Sequence, residues 1–180
     1  MTTMVWIFLL LASKDDAVYG TYLVRGRADV QVSPFPSSNQ PGDMTVTLTR
    51  SRTAGRVSVD IAARGYTCAL EASRSSAGVL DLVAPATCSL EIRDPDARGH
   101  VDARLRSGRG TVRDGTLSLD LRFDVEGKVS TRVARTRFTL FDSEFTVPEG
   151  WTPSVPLRGT VTSRGSGQRS QVKTGSPSGR

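Results

Sequence analysis

Strict alternation of apolar and polar residues is the feature that most constrains the fold of this chain. The stretch TLSLDLRFDVE, residues 116–126, places every second side chain on an apolar face and the others on a polar face. A period of two is typical of a β-strand with one buried face and one face in water. The apolar face of this strand carries Leu117, Leu119, Leu121, Phe123 and Val125.

Turn-forming residues separate similar alternating runs along most of the chain. Pro41-Gly42-Asp43, Asp94-Pro95-Asp96 and Asp114-Gly115 are examples, and convincing helical periodicity is absent. The pattern predicts an all-β fold, an antiparallel meander of about ten strands that forms a barrel. A two-layer β-sandwich is the alternative with the same signals.

The dipeptide Asp114-Gly115 predicts a two-residue type I′ turn, in which both central residues have positive φ. Arg113 should then pair with Thr116. Counting outward from the turn, one extra residue near Ser107-Gly108 is needed to keep Leu105 on the same face as Phe123, which predicts a β-bulge. A similar phase slip predicts a second bulge near Arg135.

Three regions are expected along the 180 residues. Residues 1–17 contain the apolar run from Val5 to Ala12, which is compatible with a truncated export signal or with an ordinary buried strand. The letters LLAS before Lys14 are similar to the lead-in of a lipoprotein cleavage site without its cysteine. Residues 18–162 form a single β-domain, and residues 163–180, rich in Ser, Gly and Arg, are predicted to be a disordered basic tail.

The net charge of +6 is concentrated at the C-terminal end, where Arg164, Arg169, Lys173 and Arg180 occur without an acidic residue. In the rest of the chain, basic and acidic residues interleave along the predicted strands. That interleaving favours a solvated surface of mixed charge and argues against nucleic-acid binding. Charges on the outward faces also argue against a membrane span, and the oligomeric state is left open.

Cys68 and Cys88 are the two cysteines of the chain, and both have the parity of inward-facing residues. A strand around Leu80 and Leu82 between them would hold their backbones about 9 to 10 Å apart, beyond the reach of a disulfide. The two can pair only if that strand stops short near Pro85 or if the outer strands meet in another way. A disulfide and two buried free thiols therefore both remain open.

The sequence lacks the residues that a catalytic or metal site would need. His100 is the single histidine and is expected to point outward beside Asp102. A transition-metal site would need more ligands than this. The carboxylates of Asp120, Asp124 and Glu126 alternate on a polar face with Arg122. We expect no catalytic residue, no metal, no cofactor and no enzymatic activity.

The tripeptide Gly20-Thr21-Tyr22 opens the first long strand, directly after the apolar N-terminus. The arrangement resembles the lipocalin-like (calycin) barrels, whose first strand begins with a Gly-x-Trp motif; Tyr22 stands at the Trp position. The resemblance implies a secreted or periplasmic binder of small apolar ligands.

The expected function is a non-enzymatic extracytoplasmic β-domain that binds a small apolar ligand or a cell-envelope component. A structural or protein–protein interaction module with a solid core is the alternative. Small inward residues (Gly26, Ala28, Gly110 and Gly159) should separate the two, because they fill a packed barrel if they face large side chains and leave a cavity if they face one another. The ligand-binding residues would be Tyr22, Val24, Leu119, Leu121 and Phe123.

Overall fold

The computed structural model describes residues 16–64, 66–75, 77–94, 96–131, 137–146 and 154–170. A single turn of 3-10 helix, Asp16–Val18, precedes eleven β-strands, and an α-helix is absent from this part of the chain. The all-β prediction is confirmed. The strands are β1 (Gly20–Ser33), β2 (Ser38–Arg50), β3 (Arg56–Ala63), β4 (Tyr66–Arg74), β5 (Val79–Leu82), β6 (Thr87–Asp94), β7 (Ala97–Arg113), β8 (Thr116–Thr131), β9 (Arg137–Leu140), β10 (Ser143–Thr146) and β11 (Val155–Arg169).

Nine of these strands form one antiparallel sheet in the order β5-β4-β3-β2-β1-β11-β8-β7-β6. Because β5 also pairs with β7, the sheet closes on itself in a barrel-like ring. β9 and β10 form a separate two-stranded hairpin. The predicted meander is therefore observed as a closed ring, and the separate layers of a sandwich do not form.

β5 and β6 follow each other along the same edge of β7. β5 pairs with the stretch around Gly110, whereas β6 pairs with Ala97 to Arg104. The ladder to β4 ends where β5 ends, at Leu82. This ending satisfies the first condition under which the two cysteines could meet, and Cys68 and Cys88 form a disulfide with a Cα–Cα distance of 5.2 Å.

The turn between β7 and β8 has the predicted geometry. Asp114 and Gly115 have φ values of 50° and 73°, and Arg113 pairs with Thr116. The predicted bulge is also present. Leu105 pairs with Phe123 and the next pair is Ser107 with Arg122, so that one extra residue, Arg106, lies on β7. The second predicted bulge, near Arg135, falls outside the described residues.

The inward faces of the strands form one continuous hydrophobic core. Its largest fully buried side chains include Tyr22, Leu48, Leu80, Leu105 and Leu117. A glycine is required where β1 approaches β11, because a Cβ atom on Gly26 would collide with the backbone carbonyl oxygen of Arg164. Glycines at such close approaches let a sheet bend enough to close.

The predicted boundary at residue 162 is wrong. β11 continues to Arg169, and its residues from Ser163 onward pair with both β1 and β8. Backbone hydrogen bonds on two sides hold a segment whose composition alone could not bury enough apolar surface. Residues 171–180 of the predicted tail and residues 1–15 of the predicted N-terminal segment lie outside the described residues.

The sequence predicts that the domain starts at residue 18. Val18 is part of the core, and the 3-10 turn that contains it begins at Asp16. None of the helical structure in the described ranges has the length and apolar character needed to cross a membrane.

Candidate functional site

The β9–β10 hairpin covers one end of the ring. Phe138 and Phe145 from the hairpin pack against each other and against Phe35, which follows β1, with ring centroids 5.3 to 5.7 Å apart. The backbone N–H of Thr139 donates a hydrogen bond to the carboxylate of Asp94 at 3.1 Å. These contacts attach the hairpin to the segment after β1 and to the end of β6.

The tip of the hairpin points into the ring. Leu140 pairs with Ser143, so the two-residue turn consists of Phe141 and Asp142, with φ values of 49° and 59°. A bulky side chain rarely adopts this conformation. The ring of Phe141 is buried and lies 5.5 Å from the ring of Tyr66, centroid to centroid. We refer to Phe141 and Asp142 as the hairpin tip.

A small cavity of about 20 Å³ lies beneath the hairpin tip. Gly26 and Gly42, which are opposite each other on β1 and β2, contribute to its wall. A space of this size holds about one water molecule. The remaining wall is mostly apolar and includes Ala28, Met44, Ile61, Tyr66, Cys68, Cys88, Ala103, Leu121, Phe123, Phe141 and Val161, together with the polar Arg27, Asp142 and Ser163.

The five predicted ligand-binding residues are all buried inside the ring. Leu121 and Phe123 line the cavity. Tyr22, Val24 and Leu119 are buried in the core without lining it, so the structure does not bring all five to one space. Their role in binding stays a prediction.

The glycines that were expected to distinguish a filled interior from a cavity give a mixed result. A Cβ atom on Gly110 would lie 3.0 Å from a methyl carbon of Leu119 and 3.4 Å from Leu80, so large side chains fill the space there. A Cβ atom on Gly159 would meet the backbone of β1. Gly26 and Ala28 line the small cavity. The interior is therefore filled near Gly110 and slightly open near Gly26.

Tyr66, Phe141 and Asp142 are among the cavity residues that the sequence did not indicate. Phe-Asp between two short alternating runs is a weak turn signal, because a bulky aromatic residue disfavours positive φ. Tyr66 lies directly after a predicted turn and carries no signal of its own. The alternation of apolar and polar residues within one strand does not indicate which turn elsewhere in the chain will cover that strand.

Burial changes the ionisation of the polar groups around the hairpin tip. Burial raises the pKa of Tyr66 to about 12, and the negative charge of Asp142 adds to this effect. Burial also raises the pKa of Asp142, aided by Asp43 and opposed by the positive charge of Arg64. The region therefore favours neutral groups, as expected for an apolar end of a core.

Tyr22 has a structural contact at the opposite end of the ring. Its hydroxyl donates a buried hydrogen bond of 2.7 Å to the carbonyl oxygen of Val18. Burial raises the pKa of Tyr22, and the charge of Arg169 opposes this. Tyr22 thus attaches the turn before β1 to the core.

His100 lies on the outer surface, as predicted. Its Nδ1 atom is 2.8 Å from a carboxylate oxygen of Glu91, and its Nε2 atom is 3.2 Å from Asp102. The hydroxyl of Ser89 donates to Asp102, at 2.6 Å, and not to the histidine. The hydrogen bond with Glu91 is the main reason that the pKa of His100 is raised. This is not the order of a Ser-His-Asp nucleophile, in which the histidine contacts the serine.

Within the described ranges, no group of three or more His, Cys, Asp or Glu side chains is placed to hold a metal ion. Comparisons of the chain with protein-family models, with curated proteins and with solved structures found no match. The lipocalin-like resemblance, the absence of catalysis and the ligand all stay predictions.

Proposed function

We propose that this protein is a non-enzymatic, extracytoplasmic interaction module that contacts its partner through its outer surface. The observation that carries the proposal is the filled interior. The cavity beneath the hairpin tip measures about 20 Å³. Typical sites for small molecules enclose about 300 to 1,000 Å³. The ring has nine strands, but β5 and β6 follow each other along one edge of β7, so eight strand positions surround the interior. A barrel of about eight strands is just wide enough for side chains to fill it.

Buried side chains also fill the interior at the end of the ring that is farther from the hairpin. Tyr22, Leu48, Leu80 and Leu117 are at most 1% exposed and pack into one cluster. The core is thus organised for stability. We therefore assign recognition to the exterior, where charged side chains are abundant.

The disulfide supports the extracytoplasmic part of the proposal. Disulfides form and persist in oxidising compartments and are rare in the cytosol. Cys68 and Cys88 are both buried, at 6% and 5% exposure, so the bond is shielded from reductants in solution. A buried bond of this kind fits a structural role better than a redox role.

Titration with an environment-sensitive apolar dye tests the proposal, together with native mass spectrometry of protein purified from its own source. We expect no saturable dye binding and no retained ligand. The Phe141→Ala variant is the positive control, because removal of the ring enlarges the space next to Tyr66 and should allow the dye to bind. Saturable binding to the unaltered protein would overturn the proposal.

A second candidate, binding of a small apolar ligand, is favoured by the hairpin tip. Phe141 occupies the mouth of the ring in an unfavourable backbone conformation, and such strain occurs at sites that move or bind. If the hairpin moves away, the cavity would extend into the space that the ring of Phe141 fills. The ligand would then lie against Leu121 and Phe123.

A designed disulfide separates the two candidates. A Cβ atom on Gly42 would lie 3.5 Å from Cβ of Asp142, within the range for bonded cysteines. The oxidised Gly42→Cys/Asp142→Cys variant should therefore attach the hairpin tip to β2. Under the second candidate this variant loses dye binding that each single variant retains. Equal behaviour of the double and single variants would contradict it.

A further inference from the structure

A groove of about 1020 Å³ crosses the outer face of the ring over β1, β11, β8 and β7. It lies on the opposite side of the strands from the core. Five arginines but only two acidic residues line it, and we call it the arginine groove. The charged residues are Arg25, Arg27, Arg109, Arg122 and Arg164, with Asp29 and Asp120.

Backbone at three glycines forms part of the floor of the groove. The Cα atom of Gly165 would lie 2.7 Å from a Cβ on Gly26, so β1 and β11 come together more closely than residues with side chains allow. This close approach brings together the outward arginines next to the two glycines. Arg27 and Arg164 are directly opposite each other in the ladder.

The arginines are only partly neutralised. Arg164 contacts Asp120 at 3.0 Å, and Arg109 and Arg25 contact Asp81 and Asp43 at 3.6 and 3.7 Å. These side chains are largely exposed, and exposed ion pairs of this kind contribute at most about 1 kcal/mol. A stronger anionic ligand could therefore compete for the same guanidinium groups.

Two further arginines lack an acidic partner among the described residues. Arg27 donates a 3.3 Å hydrogen bond to the neutral side chain of Asn39. Arg122 lies opposite Thr162 on one side and Ser107 on the other. Arg27 is directly opposite Arg164, and like charges in such positions repel each other across a sheet. An anion bound between them would relieve this repulsion.

We propose that the arginine groove binds an anionic polysaccharide. Guanidinium groups bind carboxylate and sulfate oxygens through paired hydrogen bonds, and several such groups in one groove match a chain with repeated negative charges. Hydroxyl side chains also line the groove and can exchange hydrogen bonds with sugar hydroxyls. They belong to Thr111, Ser118, Thr162 and Ser166.

The composition of the groove favours a polysaccharide over other polyanions. None of the described residues that line it is aromatic. Single-stranded nucleic acids usually need aromatic platforms on which bases stack. An acidic peptide would be expected to find apolar pockets, and Leu119 is the one large apolar residue among those described in the lining. The inference rests on the proposed function, since it names the partner of the outer surface.

Binding of a heparin oligosaccharide to the full-length protein, measured by isothermal titration calorimetry, tests the inference. We expect binding that weakens as salt is added, because the contacts are exposed charges. The Arg27→Glu/Arg122→Glu variant should bind at least about tenfold more weakly, a loss of about 1.4 kcal/mol. Thermal unfolding of each variant checks that the fold is retained.

The Arg93→Glu/Arg98→Glu variant is a matched control. Arg93 and Arg98 are also directly opposite each other, on β6 and β7 and outside the groove, and both are exposed. This variant changes the net charge by the same amount and should keep the affinity of the unaltered protein within about twofold, a difference of less than 0.5 kcal/mol.

The outcomes separate this inference from the proposed function. The inference is overturned if heparin does not bind, or if both double variants weaken binding equally, which would show an effect of net charge alone. Equal binding of single-stranded DNA or of a poly-glutamate peptide through the same arginines would also contradict it. None of these results affects the dye titration, which tests the interior.

Discussion

At the scale of single residues, the hairpin tip combines an unfavourable backbone conformation with a partly buried carboxylate. Phe141 has a φ of 49°, a conformation that costs an ordinary residue roughly 1 to 2 kcal/mol. Burial of its ring against Tyr66 offsets this cost. Asp142, the second residue of the tip, tolerates positive φ but has a carboxylate that is half buried.

Replacement of Asp142 by Asn should stabilise the protein at neutral pH. Burial raises the pKa of this carboxyl in the folded state, so the folded protein binds its proton more tightly than the unfolded chain. The stabilising effect of the neutral form is complete below the ordinary aspartate pKa of about 3.9 and is lost as the pH rises through the folded pKa. Urea unfolding should show Asp142→Asn more stable than the unaltered protein at pH 7 and equal to it at pH 3.

The control is Asp114→Asn, the same change in an exposed turn of the same type. It should leave the free energy of unfolding within about 0.5 kcal/mol at both pH values. A stability gain for Asp142→Asn that persists at pH 3 would show that the charge is not the cause.

At the scale of strands, the bulge at Arg106 sets the register of the second half of β7. The bulge leaves Arg106 unpaired as an extra residue, so that Gly108, Gly110 and Val112 face inward as Leu105 does. A shift of one residue would reverse the direction of every side chain between the bulge and the turn. Gly110 would then no longer make room for Leu119 and Leu80.

Deletion of Arg106 should leave a regular ladder, because Ser107 would follow Leu105 directly and still pair with Arg122, so that Val112 stays in the core. We expect a loss of less than about 3 kcal/mol in the free energy of unfolding. The control is Arg106→Ala, which removes only an exposed ion pair with Asp124 of 3.5 Å and should cost less than about 1 kcal/mol. Chemical denaturation measures both. A loss of more than about 3 kcal/mol on deletion would contradict the assignment of Arg106 as the extra residue of the bulge.

Truncation tests the C-terminal half of β11. A chain that ends at Thr162 loses the residues that pair with both β1 and β8, and the ring would open. We expect the melting temperature to fall by at least roughly 10 °C, given that 1 kcal/mol corresponds to about 2 to 4 °C in a domain of this size. A chain that ends at Ser170 keeps β11 and should melt close to the full-length protein. Similar melting of both truncated chains would show that the end of β11 contributes little.

The sequence predicts those parts of the fold in which a side-chain pattern determines the outcome. Alternation identified the strands, and the Asp114-Gly115 turn with the parity of Leu105 and Phe123 located the bulge. The end of β11 was missed because Gly165 and Gly167 bring no apolar side chain to the core. That segment is held by the backbones of its neighbours, and an apolar pattern does not report backbone pairing.

The site was less predictable than the fold for a related reason. The parity rule placed Leu121 and Phe123 inward, and both line the cavity. The size of the cavity depends on Phe141, which reaches the cavity from a separate hairpin. Cys68 can pair with Cys88 because β5 ends before it would separate them. The end of β5 depends on its pairing with β4 and with β7, which is distant in the sequence, and a short stretch of sequence does not indicate it.

At the scale of the whole molecule, the disulfide connects two strands near a break in the ladder. The pairing of β5 with β4 ends at Leu82. Farther along β4, the disulfide between Cys68 and Cys88 joins β4 to β6. The bond thus supports the ring next to one of its shortest pairings, between β5 and β7.

Removal of the disulfide should cost about 3 kcal/mol, because the two cysteines are 20 residues apart and the bond limits the freedom of the unfolded chain. The Cys68→Ala/Cys88→Ala variant measures this loss by chemical denaturation, and the reduced protein should match it. A thiol assay on denatured, unreduced protein should find no free thiol. Two free thiols would exclude the bond.

The pairing of β1 with β11 also determines how the molecule responds to mechanical load. Tyr22 pairs with Arg169, and the N–H of Ser170 donates to the carbonyl oxygen of Thr21, so the two ends of the described chain leave the ring side by side. A force pulling these ends apart acts on one residue pair at a time, from Tyr22–Arg169 towards Ser33–Arg158. The ring should then open like a zipper at low force, and a single-molecule pulling curve with one large rupture before any extension would contradict this. A ring that resists heat and denaturant through its core would still be mechanically weak along the line joining its ends.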